Sequence, residues 1–158
     1  MNKKELLKEL EEKFKKLKEE LQIESSLDEI DDIFFIRDYI LREGFVSENL
    51  SRQICSRIAD LYLAWNNYLH SLIMPNPQNI LNMSEAKLFN NDEKKEISEL
   101  MKKAMAISSR NSLIGLTKDT DEEAEFIDYA VEFWNETFKE KLIPIMAKIN
   151  EEWEEKVK

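Results

Sequence analysis

The chain has 158 residues, a net charge of −10, 35% charged and 42% apolar side chains, and only two glycines and three prolines. That length suits one compact domain, and so few turn-formers cannot supply the many tight turns of a sandwich or barrel. Apolar runs such as Ile33–Ile36 fall far short of the roughly 18 residues of a membrane span, and the lone Cys55 excludes an intrachain disulfide or a cysteine-rich zinc site.

Residues 1–24 carry seven Lys and seven Glu. Leu7, Leu10, Phe14, Leu17 and Leu21 alternate at spacings of three and four, the rhythm of a coiled-coil seam, while Glu9/Lys13 and similar pairs support a helix. This amphipathic segment precedes a bundle domain over 25–158, and its seam is expected to pack on that body, with pairing to a second copy in a homodimer as the alternative. Its mixed charge has neither the layout of a secretory signal nor the acid-free pattern of a transit peptide, so a cytoplasmic location is expected.

Ser26 and Glu29 form a capping box that opens a second helix running to about Arg42, with Gly44 as its C-terminal cap. Arg37 falls among Ile30, Ile33, Ile36 and Ile40 on this helix. A third helix from Ser47 to Ile73 puts Leu50, Ile54, Ile58, Leu61, Trp65, Tyr68 and Leu72 on one face. Ala59, Leu63, Cys55 and Ile73 occupy its other sides, which marks it as the centre of a bundle. Beside the main face runs a polar stripe of Gln53, Arg57, Asp60 and Asn67. An arginine that loses water needs a partner, so Arg37 and Arg57 imply internal ion pairs with Asp32, Asp38 or Asp60, or else an anion-binding pocket.

The loop MPNPQNILNM over 74–83 precedes a helix at 92–114, whose seam of Ile97, Met101, Ala104 and Met105 turns small and polar at Ser108, Ser109, Asn111 and Ser112. Such a seam serves close helix packing or lines a polar cavity. Thr120 with Glu123 predicts a second capping box and a long last helix, kinked near 141–144 by Pro144. The fold class is therefore all-α: a single-domain bundle of about five main helices, with a coiled-coil-like N-terminal helix and a long, kinked C-terminal one.

His70 is the only histidine, which excludes multi-histidine zinc sites and the Glu-x-x-His pairs of di-metal bundles. Gly44 and Gly115 alone cannot build a phosphate-binding loop. The run Asp119, Asp121, Glu123, Glu125 starts like a calcium loop but fails at Ala124 and Ala130. Glu93, Glu96, Glu125 and Asp128 have a spacing similar to the magnesium-binding carboxylates of all-helical nucleotide pyrophosphatases, although helical phase turns them toward solvent. Residues 117–158 hold six basic and thirteen acidic side chains, a balance that disfavours nucleic acid.

The sequence thus favours a noncatalytic acidic protein, an interaction subunit or adaptor for another protein, with no cofactor and no membrane. The first helix and the aromatic run Phe133, Trp134, Phe138 and Trp153 are its interaction candidates. The alternative is a small-molecule or nucleotide-metabolising enzyme with a site between helices, drawing on Arg37, Arg57, Asp60, Asn67, Ser108 and Asn111, and on magnesium at the four carboxylates.

Overall fold

The structure, a computed structural model, describes residues 2–158, and every regular element among them is helical. The order is α1 (Lys3–Leu21), α2 (Leu27–Phe34), α3 (Ile36–Glu43), α4 (Leu50–Ile73), α5 (Ile80–Ala86), α6 (Asn91–Thr117) and α7 (Thr120–Phe133), then a π-helical turn (Trp134–Phe138) leading into α8 (Lys139–Lys156). Capping boxes at Asn2, Ser26 and Asn90 start α1, α2 and α6 by satisfying amides that have no partner within the helix. Gly44 closes α3 at φ +82°, as its lack of a Cβ allows. Two predicted caps move: Asn49 rather than Ser47 caps α4, and Asp119 rather than Thr120 caps α7. In each case a longer acceptor side chain in the loop reaches the first-turn amides.

α4 forms the axis, packed most extensively on α6 and also on α7, with α1, α2, α3 and α5 around it. Its core face differs from the predicted one. Tyr62, Asn66 and Leu69 are buried where Leu61, Trp65 and Tyr68 were expected, because α6 and α7 meet a strip rotated from the most apolar face. α1 lies against α3, α4 and α7, burying Leu6, Leu10 and Phe14 in the common core while Leu17 and Leu21 pack at its edge. Leu7 is only half-buried and Leu6 takes its place. The N-terminal helix is therefore part of one intramolecular core.

The α1–α2 linker is tied twice. Lys18 Nζ donates to the Ile23, Glu24 and Ser25 carbonyls at 2.8–3.0 Å, and the Asp128 carboxylate accepts from the Glu24 and Ser25 amides and the Ser25 hydroxyl at 2.7–2.9 Å.

Two further expectations are corrected. The predicted second helix is broken at Phe35 into α2 and α3, and the predicted long last helix is divided into α7 and α8 by a π turn at 134–138, upstream of Pro144, which lies inside α8. Trp134, Phe138 and Leu142 stand four apart, a spacing that drifts round an α-helix. The wider π turn, closed by the Lys139 amide on the Trp134 carbonyl, keeps them aligned, and it packs Phe138 and Trp134 on Tyr62 with ring centroids 5.3 and 6.2 Å away.

Candidate functional site

The break at Phe35 is the most strained point of the backbone that also displays a large apolar side chain. Phe35 has φ +54° and ψ +50°, the left-handed region that costs a residue with a Cβ about 1–2 kcal/mol, and the residue is 51% exposed. Its neighbours Ile33, Phe34 and Ile36 are buried. Four consecutive apolar residues cannot share one helix face, and the left-handed step buries three of them while turning the fourth out.

A set of hydrogen bonds holds that conformation. The Phe35 amide donates to the Asp31 carbonyl at 2.8 Å, and the Asp31 carboxylate accepts from both the Arg37 amide and its guanidinium, each at 2.8 Å. Arg37 reaches Asp28 at 2.7 Å as well. From α4, Arg57 Nε donates to the Phe34 carbonyl, freed by the break, at 2.7 Å, and its guanidinium covers the Tyr39 ring. Burial, with Arg42 nearby, lowers the Arg57 pKa from the usual arginine value. Arg37 therefore pairs with acids, as a half-buried arginine requires, but with Asp28 and Asp31 rather than the expected Asp32, Asp38 or Asp60. Among the described residues Arg57 has no acidic partner within ion-pair distance and is met by a backbone carbonyl and an aromatic face.

Phe35 borders an open groove of about 650 Å³ lined by Ile33, Leu61, Ala64, Trp65, Tyr68, Trp134 and Met146, with Asp32 its only charged residue. The strip of α4 that the core leaves uncovered forms its floor. Trp134 enters from the π turn, backed edge-on by Phe34 and Tyr62. At one end Glu85 accepts from the Tyr68 hydroxyl at 2.8 Å and the Trp153 indole at 2.7 Å, joining α4, α5 and α8. Burial first, and Glu85 second, raise the Tyr68 pKa, so the phenol remains a donor. The groove offers a partner apolar contact and almost no free hydrogen-bonding group.

The residues singled out from sequence do not converge elsewhere. Asp60 and Asn67 are exposed, while Asn111 accepts from Arg52 in the α4–α6 seam. Ser108 and Asn111 do not line the groove or the four other cavities of comparable size, and of the two arginines Arg37 borders one of these, a shallow recess beside α1. A buried polar node joins α4 to α7 instead. Ser51 donates to Glu123 at 3.2 Å, Arg52 approaches the other Glu123 oxygen at 3.9 Å, and Cys55 lies under the Glu123 carbonyl. Burial pushes the Cys55 thiol up to about 12, which makes it a poor nucleophile.

The four carboxylates also stay apart. Glu93 pairs with Lys148 at 2.9 Å, Glu125 approaches Arg110 at 3.7 Å, and Asp128 is committed to the linker amides. Only Glu93 and Glu96 share a cavity, a pocket of about 260 Å³ between α6 and α8 that contains Lys141 and Lys148. Among the described residues no group of three or more metal-ligating side chains is assembled.

Of the aromatic run, Phe133 and Phe138 are buried, whereas Trp134 and Trp153 are half-buried. Phe35, Trp65 and Tyr68 had not been singled out as a site. The run Ile33–Ile36 carried the signal for Phe35, since one of its members has to leave the core. Comparison with models of protein families, with curated proteins and with solved structures gives no significant match, so the functional reading rests on this chain's own geometry.

Proposed function

We propose that this chain is a noncatalytic protein–protein interaction subunit and that the groove beside Phe35 is its docking site. The observation that carries the reading is the clamped, left-handed Phe35. A bulky residue held at a costly φ with half of its surface exposed gives the fold no net gain over glycine or asparagine at that position, because the strain offsets what its covered half contributes. Its ring instead adds an exposed apolar wall to a groove already lined by Trp65 and Trp134. Rigid aromatic walls of this kind supply much of the binding energy at interfaces.

The test is Phe35→Gly. Relief of backbone strain, about 1–2 kcal/mol, offsets the loss of a half-exposed ring, so stability in urea should change by less than about 1 kcal/mol. Binding of an amphipathic helical peptide with leucine anchors and uncharged flanks, followed by tryptophan fluorescence, should weaken by about tenfold or more. Unchanged binding, or a peptide that does not bind even the parent protein, would contradict the proposal.

A further inference from the structure

Resting on that docking reading, we infer that the groove's occupant is a basic amphipathic helix of a partner protein, about two to three turns long. The shape of the floor sets the conformation. Leu61, Ala64, Trp65 and Tyr68 are spaced 0, 3, 4 and 7 along α4, so they form a ridge of two turns, about 10 Å at 1.5 Å per residue. Apart from the step at Phe35, the walls are helices, whose backbone groups are bonded within the protein. An extended peptide laid there would leave the amides and carbonyls that face Ile33, Trp65, Trp134 and Met146 unpaired. A helix brings its backbone already satisfied and offers anchors at matching spacings.

Charge selects the flank of that helix. α2, which contributes one wall, has four acidic residues and no basic one: Asp28, Glu29, Asp31 and Asp32. Arg37 pairs with both Asp28 and Asp31, offsetting one of their two charges, and Glu29 closes the capping box with the Ser26 amide. Asp32 lines the groove, is exposed, and has no ion-pair partner among the described residues. With a net charge of −10, the whole molecule attracts a cationic segment and repels an acidic one, a second copy of this chain included. Lysine or arginine beside the anchors can reach Asp32 while their methylene stems cover the groove's edge.

The experiment uses two peptides of about sixteen residues with the same leucine anchors, one flanked by lysine and one by glutamate. Each is titrated into the full chain and into its Asp32→Lys variant at low and high salt. The lysine peptide should bind at least about fivefold more tightly to the parent protein at low salt, and added salt should narrow the difference. Asp32→Lys should reduce that preference at least threefold while leaving the melting temperature unchanged, since Asp32 makes no internal pair. Equal binding of both peptides, or a glutamate preference, would overturn the basic partner yet leave the docking groove standing. Binding of neither would remove the groove reading itself. Light scattering of the protein alone should give a monomer; a dimer that dissociates on Phe35→Gly would identify a second copy as the occupant and overturn the inference.

Discussion

Replacing Leu10 and Phe14 together by alanine should remove most of the folding free energy. Both side chains are buried in the core shared with α3, α4 and α7, so their truncation leaves a cavity there. A buried leucine truncated to alanine costs about 2–5 kcal/mol and a buried phenylalanine about 3–5 kcal/mol. A domain of this size has about 5–15 kcal/mol in total, so the double variant should be largely unfolded at room temperature or reach its urea midpoint far earlier. Leu7→Ala is the control, because Leu7 is only half-buried and should cost less than about 1 kcal/mol. A folded, monomeric double variant derived from a dimeric parent would instead place α1 between subunits.

The second large effect is at Tyr62, fully buried at the centre of the aromatic cluster. Its ring touches Phe34, Phe133, Trp134 and Phe138, with centroids 5.3–6.2 Å away, and its hydroxyl donates to the Ala130 carbonyl at 2.7 Å. Tyr62→Ala should cost about 3–5 kcal/mol, equivalent to about ten degrees or more in melting temperature. Tyr62→Phe loses only the hydrogen bond, about 1 kcal/mol, and should keep the groove's shape because the ring still supports Phe34 and Trp134. Calorimetry on the two variants separates packing from hydrogen bonding. Comparable losses in both would mean that the hydroxyl, rather than the ring, dominates.

The helical class was legible because Gly and Pro are scarce and the apolar residues recur at helical spacing. The caps at Ser26 and Gly44 followed from local chemistry. Other features depended on tertiary packing. The face of α4 could not be read from its own sequence, since an apolar strip runs on several sides of that helix and only α6 and α7 decide which strip they cover. Leu61, Trp65 and Tyr68 thus looked like core and became the floor of a groove. Pro144 gave no indication of the π turn at 134–138. A proline's ring and missing amide make a local signal, whereas the π turn at Trp134–Phe138 answers the distant demand that Trp134 and Phe138 both meet Tyr62. The carboxylate spacing failed for a similar reason. Asp128 was counted as a free acid, and its role in holding the linker at Glu24 and Ser25 arises from a contact more than a hundred residues away in sequence.

The three tryptophans allow the docking claim to be tested in one titration. Trp65 and Trp134 line the groove, whereas the Trp153 indole is engaged with Glu85 beyond its end. In nitrogen–proton correlation spectra of the full-length protein, the lysine-flanked amphipathic peptide should move the Trp65 and Trp134 indole signals progressively and together, with the Trp153 signal moving much less. Indole signals that stay in place throughout, or a response confined to Trp153, would contradict docking in the groove beside Phe35.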